Sequence, residues 1–99
     1  MRNSTVVIHQ QWPDHDKFLI IDSFFCGTVE LRNYSDHEAW ISGLYVDEYN
    51  RKHGIATVLL KEAERHARYS PIHVCVDHNA PQWLIDFYKK RGYEVHDEE

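Results

Sequence analysis

The sequence predicts a mixed α/β (α+β) fold, a sheet with helices packed on it. Three observations predict it. Four β-branched or alternating stretches come first. The segment 55–68 then carries an apolar stripe at helical spacing. A short strand, a second helix with one apolar face and a last short strand complete the order.

Each element has its own signal. Ser4 to Gln10 contains Thr5-Val6-Val7-Ile8, a β-branched run that reads as a strand. Trp12-Pro13-Asp14-His15-Asp16 has turn chemistry, and Lys17 to Asp22 forms a second strand. The step from Ser23 to Phe24 is a tight turn into a third strand, Phe25 to Arg32, which alternates around Val29 and Leu31. Asn33 to His37 is polar and loop-like. Glu38 to Val46 is the fourth strand, and Gly43 inside it signals a bulge or a close approach to the backbone.

Ile55 to Arg68 is the first helix. Ile55, Leu59, Ala63 and Ala67, joined by Ala56 and Leu60, form its apolar stripe, and charged residues fill the other face. Pro71 ends that unit, and Ile72 to Val76 reads as a strand with Ile72, Val74 and Val76 on one face and His73 and Cys75 on the other. Asn79 occupies an N-cap position ahead of Ala80-Pro81. Trp83, Leu84, Phe87 and Tyr88 give the second helix its apolar face, Gly92 stops it, and Tyr93 to His96 is the final strand.

With 99 residues, the chain reads as a single domain over 1–99. A fold of this size buries somewhat over ~60% of its unfolded surface, so one core is feasible with little to spare. The composition, 42% hydrophobic and 13% aromatic, is that of a globular domain. No apolar run approaches the ~20 residues that cross a bilayer, and the N-terminal apolar run is too short for a signal peptide. The expected setting is cytoplasmic. A net charge of −5 argues against a nucleic-acid surface. The basic clusters Arg51-Lys52-His53 and Lys89-Lys90-Arg91 suit local phosphate contacts instead. Eight histidines and two cysteines show no zinc spacing, so no metal is expected. Cys26 and Cys75 read as reduced thiols, with the alternative that one lies near a reaction site.

The chemistry concentrates between Leu44 and Thr57. A strand ends at Val46, a polar loop follows, and Arg51-Lys52-His53-Gly54-Ile55-Ala56 leads straight into a helix. Amides at a helix start are unpaired and carry partial positive charge. Glycine lets a phosphate come close to them, and basic side chains add attraction. The stretch is therefore a physical anion site. It is neither a P-loop nor a dinucleotide fingerprint, because GxxxxGK[ST] and GxGxxG are both absent.

Three stretches together resemble the GNAT superfamily of N-acetyltransferases. The family's pyrophosphate loop, Arg/Gln-x-x-Gly-x-Gly/Ala, is matched by Arg51 to Ala56. Its Leu-x-Val-Asp strand end is matched by Leu44-Tyr45-Val46-Asp47. The run from Asn79 through Phe87-Tyr88 to Gly92-Tyr93 is similar to its Asn-to-Phe-Tyr-to-Gly-Phe/Tyr signature. The resemblance spans Phe18 to the C-terminus and implies a mostly antiparallel central sheet flanked by two main helices.

It also implies a site for acetyl-CoA. The loop Arg51, Lys52, His53, Gly54, Ile55, Ala56 and Thr57 holds the pyrophosphate, through the amides of Lys52, Gly54, Ala56 and Thr57. Leu44, Tyr45 and Val46 run along the pantetheine arm, with Val46 pairing to it as to an extra strand. Splaying at Gly43-Leu44 opens the slot, and the Leu44 amide faces the acetyl carbonyl, where such a donor is often worth ~2.7–4 kcal/mol. Asn79 contacts the cofactor or fixes the strand end. Phe87 belongs to the cofactor side, and Tyr88 protonates the leaving thiolate.

The implied activity is transfer of an acetyl group from acetyl-CoA to an amine by direct attack. Two departures from the family pattern matter. The Glu that relatives carry on the fourth strand is replaced by Trp40, and the next strand offers His73 and Cys75 instead. Glu30, Glu38, His73 and Asp77 are then the candidates for general base, with Glu30 placed among the catalytic residues. The helices usual between the first two strands are missing, leaving only Trp12 to Asp16 there. An open acceptor side favours a protein lysine or N-terminus, or a homodimer partner or bound protein that completes the site. Trp12, Phe24, Phe25, Tyr34 and Trp40 are the aromatics that can line it. The rival reading is an inactive scaffold of the same fold that binds a protein partner.

Overall fold

A computed structural model describes residues 6–22, 24–34, 37–48 and 54–98. Six strands form one sheet in the order of the chain, β1 (Val6–Gln11), β2 (Asp16–Asp22), β3 (Phe24–Tyr34), β4 (Glu38–Val46), β5 (Ile72–Asp77) and β6 (Val95–Glu98). The first four pair antiparallel, whereas β4–β5 and β5–β6 are parallel. Each parallel step is bridged by a helix, α1 (Ile55–His66) and then α2 (Gln82–Lys90). The two crossovers advance the same way along the sheet, and right-handed crossovers therefore place both helices on one face. Arg91 beside Thr57 and Tyr93 bonded to Glu64 tie the end of α2 to α1.

That face is the core. Phe18, Ile20, Val29, Leu31, Ile41 and Val74 are fully buried and join Ile55, Leu59, Leu60 and Ala63 of α1 in one cluster. The period of two along β2 and β3 sends Lys17, Glu30, Arg32 and Tyr34 to the other face, which among the described residues carries no helix. Gly27 sets how close α1 comes. A Cβ there would lie 2.7 Å from the Tyr45 carbonyl oxygen and 3.1 Å from Leu59. Glycine thus lets the first turns of α1 seat against the ends of β3 and β4.

The element order and the limits of β4 match the sequence expectation. Besides shifts of one or two residues at other strand ends, four details differ. The first helix ends at His66 rather than Arg68, because Ala67 turns extended and the Arg68 amide donates to Asn33 Oδ1 at 2.7 Å. Asn33 makes that bond from β3, which runs to Tyr34 through residues expected in a loop. Asn79 is not an N-cap. Pro81 holds that position, with the Ala80 amide turned back to Asp77 O at 2.8 Å. The last strand begins at Val95 because Gly92, at φ 86°, and Tyr93 close α2. Their amides bond to the carbonyls of Lys89 and Tyr88, the Schellman pattern. Ser23 lies outside the described residues.

Candidate functional site

The site begins with a defect in β4. Pairing with β3 runs Thr28↔Tyr45 and then Glu30↔Ser42, so Gly43 and Leu44 together oppose Val29. This is a β-bulge, and Gly43 takes φ 62° to make it. On the opposite edge, the parallel ladder to β5 runs from Ala39↔Ile72 to Ile41↔Val74 and ends there. Past the bulge the two strands diverge around a cleft of about 330 Å³, lined by Gly43, Leu44 and Tyr45 from β4 and by Cys75, Val76 and Asp77 from β5. Asn79, Ala80, Pro81 and Leu84 close its far end.

A second cleft of about 370 Å³ lies against the first on the helix-free face. Glu30, Arg32, Tyr34, Trp40 and Ser42 line it, and Gly43 and Cys75 are common to both clefts. A substrate reaching from one cleft to the other therefore crosses at Gly43 and Cys75. Glu30 stands at that crossing, since a Cβ on Gly43 would meet its carboxylate at 3.7 Å. Arg32 holds the Glu30 carboxylate at 3.2 Å, and Lys17 lies 3.9 Å from it.

The structure separates the base candidates. Glu30 lines the second cleft and Asp77 the first. Glu38 and His73 are engaged with each other at 3.1 Å, the Trp40 indole donates to Glu38 at 3.2 Å, and the His73 ring stacks on Trp40. Neither lines either of these two clefts. Cys26 is buried in the core, whereas Cys75 sits where the clefts meet. Tyr34 and Trp40 line the second cleft, and Trp12 is exposed and stacked on His15. The side chains of Phe24 and Phe25 lie outside the described part.

Tyr88 is fully buried, belongs to the core cluster and lines neither cleft. Leu84, one turn earlier on α2, lines the first cleft. The Tyr88 hydroxyl has no hydrogen-bond partner among the described residues. Burial pushes its phenol well above the ordinary value, and the nearby Cys75 and Tyr93 push the same way. It is a protonated donor with no acceptor among the described residues. Phe87 lies outside the cleft, on the α2 surface beneath Arg91.

The start of α1 fits an anion. Gly54 caps it at φ 80° with no side-chain bond, and no acidic residue stands in the first turn. The amides of Ile55, Ala56 and Thr57 belong to the unpaired first turn of the helix. Space around Gly54 is open, with nothing within 4 Å of where a Cβ would be. Arg51, Lys52 and His53 lie outside the described residues. Arg91 donates to Thr57 Oγ1, a placement not anticipated from the sequence beyond the basic run Lys89-Lys90-Arg91. Among the described residues no group of His, Cys, Asp and Glu assembles to hold a metal ion, and no helix is long and apolar enough to cross a membrane.

Residues 14–95 match the family model described as an acetyltransferase (GNAT) domain. Solved structures share the fold. One is a protein from Pyrococcus furiosus assigned as an acetyl transferase, 23% identical with a TM-score of 0.68 over 89% of this chain and 64% of that one. Another, from Bacillus anthracis, is assigned as a streptothricin acetyltransferase and was solved with acetyl coenzyme A. It is 20% identical with a TM-score of 0.68 over 83% of this chain and 48% of that one. A third is the aminoglycoside N-acetyltransferase AAC(6′)-Iy in complex with CoA, 17% identical with a TM-score of 0.60 over 90% and 66%. The chain thus spans 48% to 66% of the length of these structures. No curated protein sequence matches it.

Proposed function

The chain belongs to the GNAT acetyltransferase family, and on that premise we propose that it is an N-acetyltransferase that takes its acetyl group from acetyl-CoA and gives it to a protein amine. The observation that carries this reading is the cleft between β4 and β5. A bulge at Gly43-Leu44 and a ladder that stops at Ile41↔Val74 are what a thioester arm needs to lie between two strands.

In this reading the thioester supplies the activated acetyl group, and the chain's residues orient it and move protons. The first turn of α1 and the loop 51–54 hold the phosphates. The Leu44 amide donates to the carbonyl oxygen as negative charge builds there. Glu30 accepts a proton from the acceptor amine across the second cleft. The amine nitrogen forms a bond to the carbonyl carbon, the carbon–sulfur bond breaks, and Tyr88 Oη gives a proton to the departing thiolate. The Tyr88 hydroxyl lies behind the cleft wall near Cys75, where the clefts meet, and its lack of a partner among the described residues suits that donation. The family's solved structures named above include enzymes for small antibiotics. A protein lysine or N-terminus is favoured here because the acceptor-side face carries no helix among the described residues.

The test is acetyl transfer followed by release of free thiol, with lysine-containing peptides, peptide N-termini and small polyamines offered in parallel. Turnover on peptides is expected, and turnover confined to small amines contradicts the acceptor class. Glu30→Gln is expected to lower turnover by about 10²-fold or more at saturating acetyl-CoA, with cofactor affinity unchanged. Full activity in that variant transfers the base role to Asp77 or to water.

A further inference from the structure

Trp40 is held on the helix-free face by a closed set of contacts. Its indole Nε1 donates to Glu38 Oε1 at 3.2 Å. The other oxygen of that carboxylate, Oε2, lies 3.1 Å from His73 Nε2. His73 is the register partner of Trp40 across the parallel ladder, and the two rings stack with centroids 4.6 Å apart and 27° between their planes. His96 of β6 leans on both, at 5.4 Å from Trp40 and 5.6 Å from His73. One carboxylate thus joins two stacked rings, and neither ring can turn without breaking a contact. Two residues that the clefts leave out, Glu38 and His73, thereby gain a use.

With one face of the indole against His73, Trp40 also lines the second cleft. It stands away from the crossing at Gly43 and Cys75. Ser42, also lining the cleft, comes two residues further along β4, which is about 6–7 Å of strand. Glu30 waits at the crossing. Arg32, the register partner of Trp40 on β3, is bonded to Glu30 at 3.2 Å, so its charge is offset there. The cleft therefore runs from a fixed apolar wall to a carboxylate. A lysine side chain has that same polarity, a four-carbon stem ending in one nitrogen. Such stems lie along apolar surface while the nitrogen reaches a polar group, and an indole face adds attraction for the cation. A peptide α-amine has no stem to lay on the wall.

We infer that Trp40 is the acceptor-selecting residue, a wall for the methylene stem that favours a lysine Nε amine over a peptide α-amine. Glu38 and His73 are positioning residues that hold it. This rests on the acetyltransferase reading and narrows its acceptor class.

Steady-state kinetics at saturating acetyl-CoA test it with two peptides, one carrying a single lysine and a blocked N-terminus, the other a free N-terminus and no lysine. Wild type should prefer the lysine peptide. Trp40→Ala is expected to lower that preference about ten- to thirtyfold, through KM for the lysine peptide more than through kcat. Trp40→Phe, which keeps a ring, should retain most of the preference, and Glu38→Ala, which frees the indole, should lose part of it. Both peptides are read on one enzyme preparation, so a folding defect lowers both rates and leaves their ratio intact. A ratio unchanged in Trp40→Ala and in Glu38→Ala, or a wild type that prefers the α-amine, overturns this inference alone. A wild type that acetylates no amine overturns the acetyltransferase reading and this inference with it.

Discussion

Replacing Tyr88 by phenylalanine is expected to lower turnover by about 10²–10⁴-fold while leaving acetyl-CoA affinity unchanged. The ring is fully buried and keeps its packing in the variant. Only the hydroxyl is lost, and that hydroxyl has no partner among the described residues. Removing a buried, unpaired polar group costs little and can stabilise. The variant should therefore unfold at or above the wild-type temperature, which separates a proton donor from a structural tyrosine. A structural hydroxyl would show the reverse, a loss of stability with turnover retained.

The same substitution has a pH signature. Burial raises the folded Tyr88 phenol above its ordinary 10.0. A raised acid of this kind contributes stability below the unfolded value and loses it as pH rises toward the folded one. Wild type should weaken above about pH 10, because ionising Tyr88 requires exposing it. Tyr88→Phe should weaken less over that range. Tyr93 titrates in the same direction, through burial and its bond to Glu64, so the variant keeps a smaller alkaline slope. Unfolding midpoints measured between pH 8 and 11 give both slopes.

The largest expected stability effect is at Leu59. It is fully buried near the middle of α1's inner face and lies against Gly27 of β3. Leu59→Ala is expected to cost about 2–5 kcal/mol. A chain of this length has a total stability of roughly 5–15 kcal/mol, so that loss is a large fraction of it. At roughly 4–8 °C per kcal/mol, the midpoint should fall by at least about 8 °C. Cofactor affinity should fall as well, because the proposed phosphate site is the first turn of α1. A midpoint within a degree or two of wild type would mean that α1 is not seated on the sheet as described.

What was legible in the sequence was mostly local. The alternation around Val29 and Leu31 and the helical stripe through Ile55, Leu59 and Ala63 depend on neighbours a few residues apart, and a strand and a helix lie at those positions. Gly43 marked a bulge or a close approach to the backbone, and the structure has the bulge. Contacts across the chain were not legible. Asn33 bonding Arg68, and Arg91 bonding Thr57, join residues with no periodic relation. The end of α1 was misplaced for that reason, since its stop is a side chain from β3 rather than a signal of its own. Asn79 has cap chemistry, but the turn bonding Ala80 to Asp77 shifts the helix start beyond it. Among four candidate bases, the sequence put Glu30 forward without a geometric reason. The sheet separates them, because Glu30 shares a face and a crossing point with Gly43 while Glu38 and His73 bond each other.

The central claim is that the β4–β5 cleft and the start of α1 form an acetyl-CoA site, and thermal unfolding with and without acetyl-CoA tests it most directly. Ligand at 100 times its dissociation constant adds about 2.7 kcal/mol, which for a domain of this size is roughly ten degrees or more. A rise of that size is the predicted result. An unchanged midpoint at millimolar acetyl-CoA would contradict the account and leave a protein with the family's fold but without its cofactor.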